Sequence, residues 1–276
     1  MTESLLCFSK AVKCQDSEID LGRAALLIAQ MDYPDLDVES YLKRMDRLGA
    51  SVKDMAGDEE GVYRLLACLN YVLFKQEGFQ GNRSDYYDPK NSFLNEVMDR
   101  KIGIPITLSV LYLEVARRVG LALHGVGFPG HFLLKHVDRE GEIIVDPFNG
   151  GEVRSNDELQ GILDDIYSGK ALLKSEFLSP VSKRQILTRM LNNLRGIYLQ
   201  QGDFLKGLSV VERLVVLEPN PVCEYRDRGL LHLRLENFPQ ALKDLETYLR
   251  LASDADDADE IREQVLYLKK QPTQLH

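Results

Sequence analysis

The stretch Ile102-Gly-Ile-Pro105-Ile-Thr107-Leu-Ser109-Val-Leu-Tyr-Leu-Glu114-Val-Ala-Arg-Arg118-Val-Gly120 decides the fold. Proline suits the first position of a helix, where its missing N–H has no intrahelical partner to lose. From Ile106 to Val119 the run is apolar except for a narrow stripe through Thr107, Glu114 and Arg118. A helix that is apolar nearly all round is a buried one. The stretch is therefore predicted to be the core helix of a first domain.

After Gly120 the period changes. Residues 124–128, 132–137 and 143–148 are short apolar or alternating runs punctuated by Gly or Pro, which predicts strands. Asp138-Arg-Glu-Gly141 reads as a hairpin turn between the last two, and Asn149-Gly150-Gly151 is expected to end the sheet. Upstream, apolar residues from Ile19 to Ile28 recur at helical spacing until Tyr33-Pro34-Asp35 breaks the run. A helix over 38–48 follows, with Gly49 as its expected C-cap, and another spans 61–77. The polar segment 84–92 is turn-like, and Asn91 or Ser92 is expected to cap a short helix over 93–100. Helices first and an antiparallel sheet packed on them give an α+β first domain, placed at residues 1–180.

The last third, 181–276, reads as a helical array. Gly202-Asp-Phe204-x-x-x-Leu208 repeats as Glu236-Asn-Phe238-x-x-x-Leu242, and Leu214 and Leu217 then match Tyr248 and Leu251. A period of about 34 residues in helix–turn–helix units is the tetratricopeptide pattern. Helices over 182–199 and 260–270 flank the two units, and the acidic run from Asp254 to Glu260 is expected to be a solvated turn.

Composition narrows the functional classes. The chain has 276 residues, 44% of them hydrophobic and 28% charged, which suits a soluble protein with a sizeable core. Its 34 basic and 43 acidic residues give a net charge of −9, against the basic face that nucleic-acid binding requires. No apolar run reaches the ~20 residues of a membrane span, and the N-terminus lacks the pattern of a secretory signal, so no membrane insertion is expected. Cys7, Cys14, Cys68 and Cys223 show no C-x-x-C spacing and read as free thiols of a reducing, cytoplasmic compartment.

Chemistry concentrates around His131 and Asp146. If the hairpin is centred on Arg139 and Glu140, Asp146 pairs with Leu133 and His131 faces Phe148. His131 and Asp146 then share one face as diagonal neighbours, roughly 7–8 Å apart at Cα. His136 has the opposite parity. A carboxylate at that reach can orient an imidazole. The nucleophile of such a set belongs at the N-terminus of a buried helix, where the macrodipole favours a thiolate. No cysteine lies near Pro105. Thr107 and Ser109 are the hydroxyls there, so the catalytic candidates are His131, Asp146 and Thr107.

The run from Asp88-Pro-x-Asn91-Ser-x-Leu-Asn95 through Arg100-x-x-Gly103-Ile-Pro-Ile-Thr to Glu114-Val-Ala-Arg-Arg118-x-Gly120, followed by Gly125-Val-x-Phe-Pro-Gly-His131-Phe, resembles the SirB-type family. The resemblance covers roughly residues 35–255. It implies a papain-like, transglutaminase-like α+β domain followed by tetratricopeptide repeats, in a bacterial-type cytosolic protein. Plant chloroplast and eukaryotic F-box proteins carry similar domains. In active members of the wider superfamily a cysteine begins the core helix, and counting back from Gly120 puts its position near Pro105. The family's His and Asp positions correspond to His131 and Asp146. The missing thiol argues against transamidase or cysteine-protease activity.

Each candidate also has a plain structural reading. Asn91 and Asn95 suit loop-pinning or capping as well as ligand contact. Thr107 suits a helix-start hydroxyl bonded to backbone. Tyr86, Tyr87, Phe128 and Phe132 can line a cleft beside His131 or fill a core, and Tyr87, Phe128, Asn91, Asn95 and Ser109 are the candidate binding residues. His124, His131 and His136 lack metal-ligand spacing, so no metal is expected. Gly125-x-Gly127-x-x-Gly130 precedes a strand rather than opening a helix, so no dinucleotide cofactor is expected either. Three functional readings follow: a non-catalytic protein- or peptide-binding molecule, open to a regulatory role; a hydrolase or acyl transferase using Thr107 or Ser109 with the His131–Asp146 pair; and a structural adaptor acting through the repeats alone. The first is favoured, with a protein or peptide as partner and the oligomeric state open.

Overall fold

The computed structural model describes residues 2–57, 61–139 and 141–270. Its internal contacts divide the chain into two compact units, residues 14–190 and residues up to 13 together with those from 191 onward. The sequence places one boundary after residue 180; the contacts place it after Met190 and assign the N-terminal helix to the repeats.

That N-terminal helix, α1 (Glu3–Val12), is capped by the Thr2 hydroxyl, which accepts from Leu5 N. In the larger unit α2 (Leu21–Ala29) is capped by Asp20 and α3 (Val38–Ala56) by Asp37, whose carboxylate accepts from Ser40 N at 3.1 Å. α3 runs straight through Gly49 to end at Gly57, so Gly49 is not the C-cap that its sequence position suggests. The reason is packing: a Cβ on Gly49 would lie 2.9 Å from Arg118 Cβ, so the glycine lets two helices approach closely. α4 (Val62–Asn70) continues into a π-helical turn over Tyr71–Gln76.

A two-residue parallel ladder joins β1 (Gln80–Gly81) to β2 (Ile102–Gly103), on either side of α5 (Leu94–Arg100). Neither Asn91 nor Ser92 caps α5, whose preceding residue Phe93 makes no side-chain cap. α6 (Pro105–Arg118) is the expected core helix, with Val110, Leu111, Tyr112, Val115 and Ala116 at most 1% exposed. Glu114 on the polar stripe is buried too, held by Arg117 and Arg118.

The sheet comprises β3 (His124–Val126), β4 (Leu133–Val137), β5 (Glu142–Asp146), β6 (Glu152–Arg154) and β7 (Pro180–Val181), in the order β6-β5-β4-β3-β7. All its pairings are antiparallel. The β4–β5 register has the predicted alignment, with Leu134 opposite Val145 and His136 opposite Ile143. The turn between them is closed by Asp138 N donating to Gly141 O at 3.1 Å, and Glu140 lies outside the described residues. Asn149-Gly150-Gly151 does not end the sheet; Gly150 and Gly151 both have positive φ and turn the chain into β6. α7 (Asn156–Tyr167) covers one face, where Val126, Phe128, Leu133 and Ile144 meet Leu159 and Leu163. α6 packs against β3 and β4, and Leu134 and Val145, of the opposite parity, are also fully buried.

The division between units falls within α8 (Lys183–Gln201). In the helical unit, α9 (Phe204–Leu217), α10 (Val222–Arg234), α11 (Phe238–Leu251) and α12 (Ala258–Lys270) follow. Both α9 and α11 have 14 residues, and their bounds differ by the 34-residue period read from the sequence. Ala241, Leu245 and Tyr248 of α11 pack on Ile261, Val265 and Leu268 of α12. α1 joins this unit against α9, where Arg213 Nη2 donates to Ser4 Oγ at 2.9 Å. The acidic turn is more than a solvated run: Asp257 accepts from the Tyr248 hydroxyl and, at 2.8 Å, from Arg226 Nη1.

Candidate functional site

His131 sits in the turn before β4, where its N–H donates to Phe128 O, and Asp146 ends β5. The hairpin register brings them into direct contact: the imidazole Nε2 donates to Asp146 Oδ1 at 2.9 Å. Asp146 is fully buried and also accepts from Asn149 N at 3.3 Å, Asn149 Nδ2 at 2.7 Å and Arg154 Nε at 3.2 Å. Burial works to raise the Asp146 carboxyl. The His131 hydrogen bond and charge, the Asn149 amide and the Arg154 charge outweigh it and hold the group below the ordinary carboxylate range.

The other ring nitrogen, Nδ1, has no hydrogen-bond partner among the described residues, and the side chain keeps 11% exposure. With Nε2 fixed by the carboxylate, Nδ1 is the ring nitrogen left open to a further hydrogen bond. Around it, Phe148 meets the imidazole edge-on with centroids 5.8 Å apart, and Arg83 lies over the other ring at 5.3 Å from the Phe148 centroid. Arg189 Nη2 donates to His131 O at 2.7 Å and stacks over Phe132. Burial pushes the Tyr86 phenol up, against the opposing pull of the Arg189 charge beside it.

The hydroxyl candidates do not join this pair. Thr107 is fully buried; its Oγ1 accepts from Ile104 N at 3.2 Å and donates to Asn91 O at 2.8 Å. Ser109 is fully buried and its Oγ has no hydrogen-bond partner among the described residues. Asn91 is a loop pin: its amide donates to Asp85 O at 2.6 Å and Tyr86 O at 3.3 Å. Asn95 is buried with an unpartnered Oδ1, and Phe128 belongs to the core beneath α7. Of the five candidate binding residues only Tyr87 is open to solvent, at 68% exposure, with Tyr86 edge-on against it. Asn91, Asn95, Ser109 and Phe128 are all buried.

Sequence reasoning missed Arg154 and Arg189. Arg154 was within reach: reading Asn149-Gly150-Gly151 as a hairpin pairs Asp146 with Glu152 and places Arg154 two residues on, on the same face. Arg189 comes from a helix more than fifty residues away in sequence, and no local pattern marks it. Among the described residues no group of three or more His, Cys, Asp or Glu could hold a metal ion.

Two cavities lie apart from His131 and Asp146, neither of which lines them. One, of about 580 Å³, lies in the larger unit between Leu21, Leu113, Leu121, Leu123, Val181 and Ile186. The other, of about 920 Å³, lies in the helical unit. Its walls include Leu199, Val211, Leu230, Phe238 and Tyr267, with Arg234 at the rim. No helix among the described residues is long and apolar enough to cross a membrane.

Comparison with known proteins agrees with this architecture. Residues 39–192 match the family model for the transglutaminase-like superfamily, and residues 194–265 match a tetratricopeptide repeat model. A UPF0162 protein of Xylella fastidiosa is 36% identical over the full length of both chains. Protein SirB1 of Salmonella typhimurium is 26% identical over 90% of this chain and 91% of its own. Human F-box only protein 21 is 33% identical over a shorter region, covering 50% of this chain and 22% of that protein.

Proposed function

Since this chain belongs to the family of transglutaminase-like proteins with tetratricopeptide repeats that includes SirB1 and the UPF0162 proteins, we propose that it works by binding a protein or peptide rather than by turning over a substrate. The observation that carries this reading is the groove of about 920 Å³ in the helical unit. Its size suits a few residues of a peptide, and its lining combines apolar walls with charged groups that can fix orientation. Leu199 and Tyr267 are 40% and 51% exposed, unusually open for large apolar side chains. Arg195 and Asp227, paired at 2.8 Å, form part of the wall and offer a donor and an acceptor to an incoming backbone.

A catalytic reading has less support. It needs a nucleophile beside His131, and the Thr107 hydroxyl is engaged by backbone on both sides. The reading extends to a cytoplasmic setting, in keeping with four cysteines that are all free. The test is affinity capture with the full-length chain, comparing wild type with Leu230→Asp and Tyr267→Ala. Both variants should lose a common set of bound proteins while keeping their helical circular dichroism. An unchanged set of captured proteins in both would end the groove hypothesis.

A further inference from the structure

Six arginines of the larger unit, Arg23, Arg44, Arg100, Arg117, Arg118 and Arg154, each face a carboxylate. Arg189 and Arg83 do not, among the described residues. Arg189 is half-buried, and its polar contacts are the His131 carbonyl and the neighbouring Tyr86. Arg83 bonds only the neutral Asn149 side chain. Arg189 holds the His131 backbone oxygen, and Arg83 lies over the Phe148 ring that meets the His131 imidazole edge-on.

A guanidinium drawn out of water without a counter-charge is costly, and in a molecule of net charge −9 acids are abundant enough to supply one. The nearest carboxylate, Asp146, is already matched by Arg154 and held by Asn149 and His131, so its charge is not free to offset Arg189. The contacts that Arg189 does make leave most of its five N–H donors unassigned. Burial accordingly pulls its guanidinium below the ordinary value, offset only in part by Tyr86.

We propose that the surface beside His131 is an oxyanion site: a carboxylate or phosphate group of a ligand seats against the Arg189 guanidinium, with Arg83 as a second cation. The faces of Tyr86 and Phe148 beside it suit a ligand with a flat or apolar body next to the anionic group. The guanidinium fork accepts both anions, and the two sources are separated by probe. This site is distinct from the groove of the helical unit, so either can fail without the other.

The experiment titrates the full-length chain with phenyl phosphate and, separately, with benzoate at constant ionic strength, following arginine Nε–Hε resonances by NMR. At least one probe should shift the Arg189 and Arg83 signals saturably and leave those of carboxylate-paired arginines such as Arg44 in place. The probe that binds names the anion. Arg189→Gln should weaken it about tenfold or more, and Arg83→Gln, at an exposed position that leaves the core untouched, should weaken it as well. Uniform shifts over all arginines, no saturation with either probe, or full affinity retained in Arg83→Gln and Arg189→Gln would each overturn the proposal.

Discussion

The Thr107 hydroxyl lies 2.8 Å from the Asn91 carbonyl oxygen and donates to it, tying the first turn of the core helix to the loop that precedes α5. Thr107 Oγ1 in turn accepts from Ile104 N at 3.2 Å. A side chain bound on both sides in a fully buried setting is a staple.

Thr107→Val should therefore lower stability by about 1–3 kcal/mol, because the Asn91 carbonyl and the Ile104 N–H lose their partner. Thr107→Ser, which keeps the oxygen, should recover most of that loss. Urea unfolding measures both. A fluorophosphonate probe should give no adduct at Thr107 or Ser109 by mass spectrometry; labelling of either would restore the hydroxyl-nucleophile reading.

Asp146→Asn should be costly, by about 1–3 kcal/mol, since it disrupts a buried carboxylate that accepts from His131, Asn149 and Arg154, although Arg154 keeps Glu152 and Glu158. The acid limb of the stability curve should change with it. The native Asp146 carboxyl lies below its ordinary value, so its contribution is complete above the unfolded value near ~3.9 and is lost as pH falls through the native one. Wild type should lose stability across that window, and the asparagine variant should lack that component in pH-dependent melting.

Gly49→Ala should destabilise even though alanine favours helix by about 1 kcal/mol. The added methyl meets Arg118 Cβ at 2.9 Å, on a residue itself fixed by Glu114 and Asp46. A net loss of about 1–2 kcal/mol is expected from overpacking. A gain in melting temperature would show that α3 and α6 can separate at no cost.

His232, on α10, is held below its ordinary value of 6.5, first by burial, and its Nδ1 is a buried atom with no partner among the described residues. A histidine kept neutral in the fold opposes acid: the unfolded chain binds the proton first, so stability falls as pH drops below 6.5 toward the native value. His232→Gln should flatten the melting profile of the helical unit between pH 7 and 5. An identical slope in the variant would assign that dependence to other groups.

The fold was legible where a single period ran long enough. The apolar run behind Pro105 and the recurrence of Phe204 as Phe238 each specified an element and its surroundings. Hairpin parity carried His131 to Asp146, because a two-residue period leaves no choice of face once the turn is fixed. Gly49 misled because glycine serves both as a helix stop and as a close-contact residue, and only the opposing Arg118 tells them apart. Asn91, Asn95 and Phe128 kept two readings for a related reason: a polar or aromatic side chain beside a motif has the same letter whether it faces solvent or is enclosed. Arg189 was invisible, since its place beside His131 is decided by where a later helix packs.

The matched lengths of α9 and α11 make the helical unit modular. Duplicating residues 204–237 would lengthen it by one whole step without cutting a helix, since both splice points fall where a helix begins. The array is in this way extendable in discrete increments, whereas the surroundings of His131, assembled from single residues of five separate segments, have no such unit of growth and can be altered only one side chain at a time.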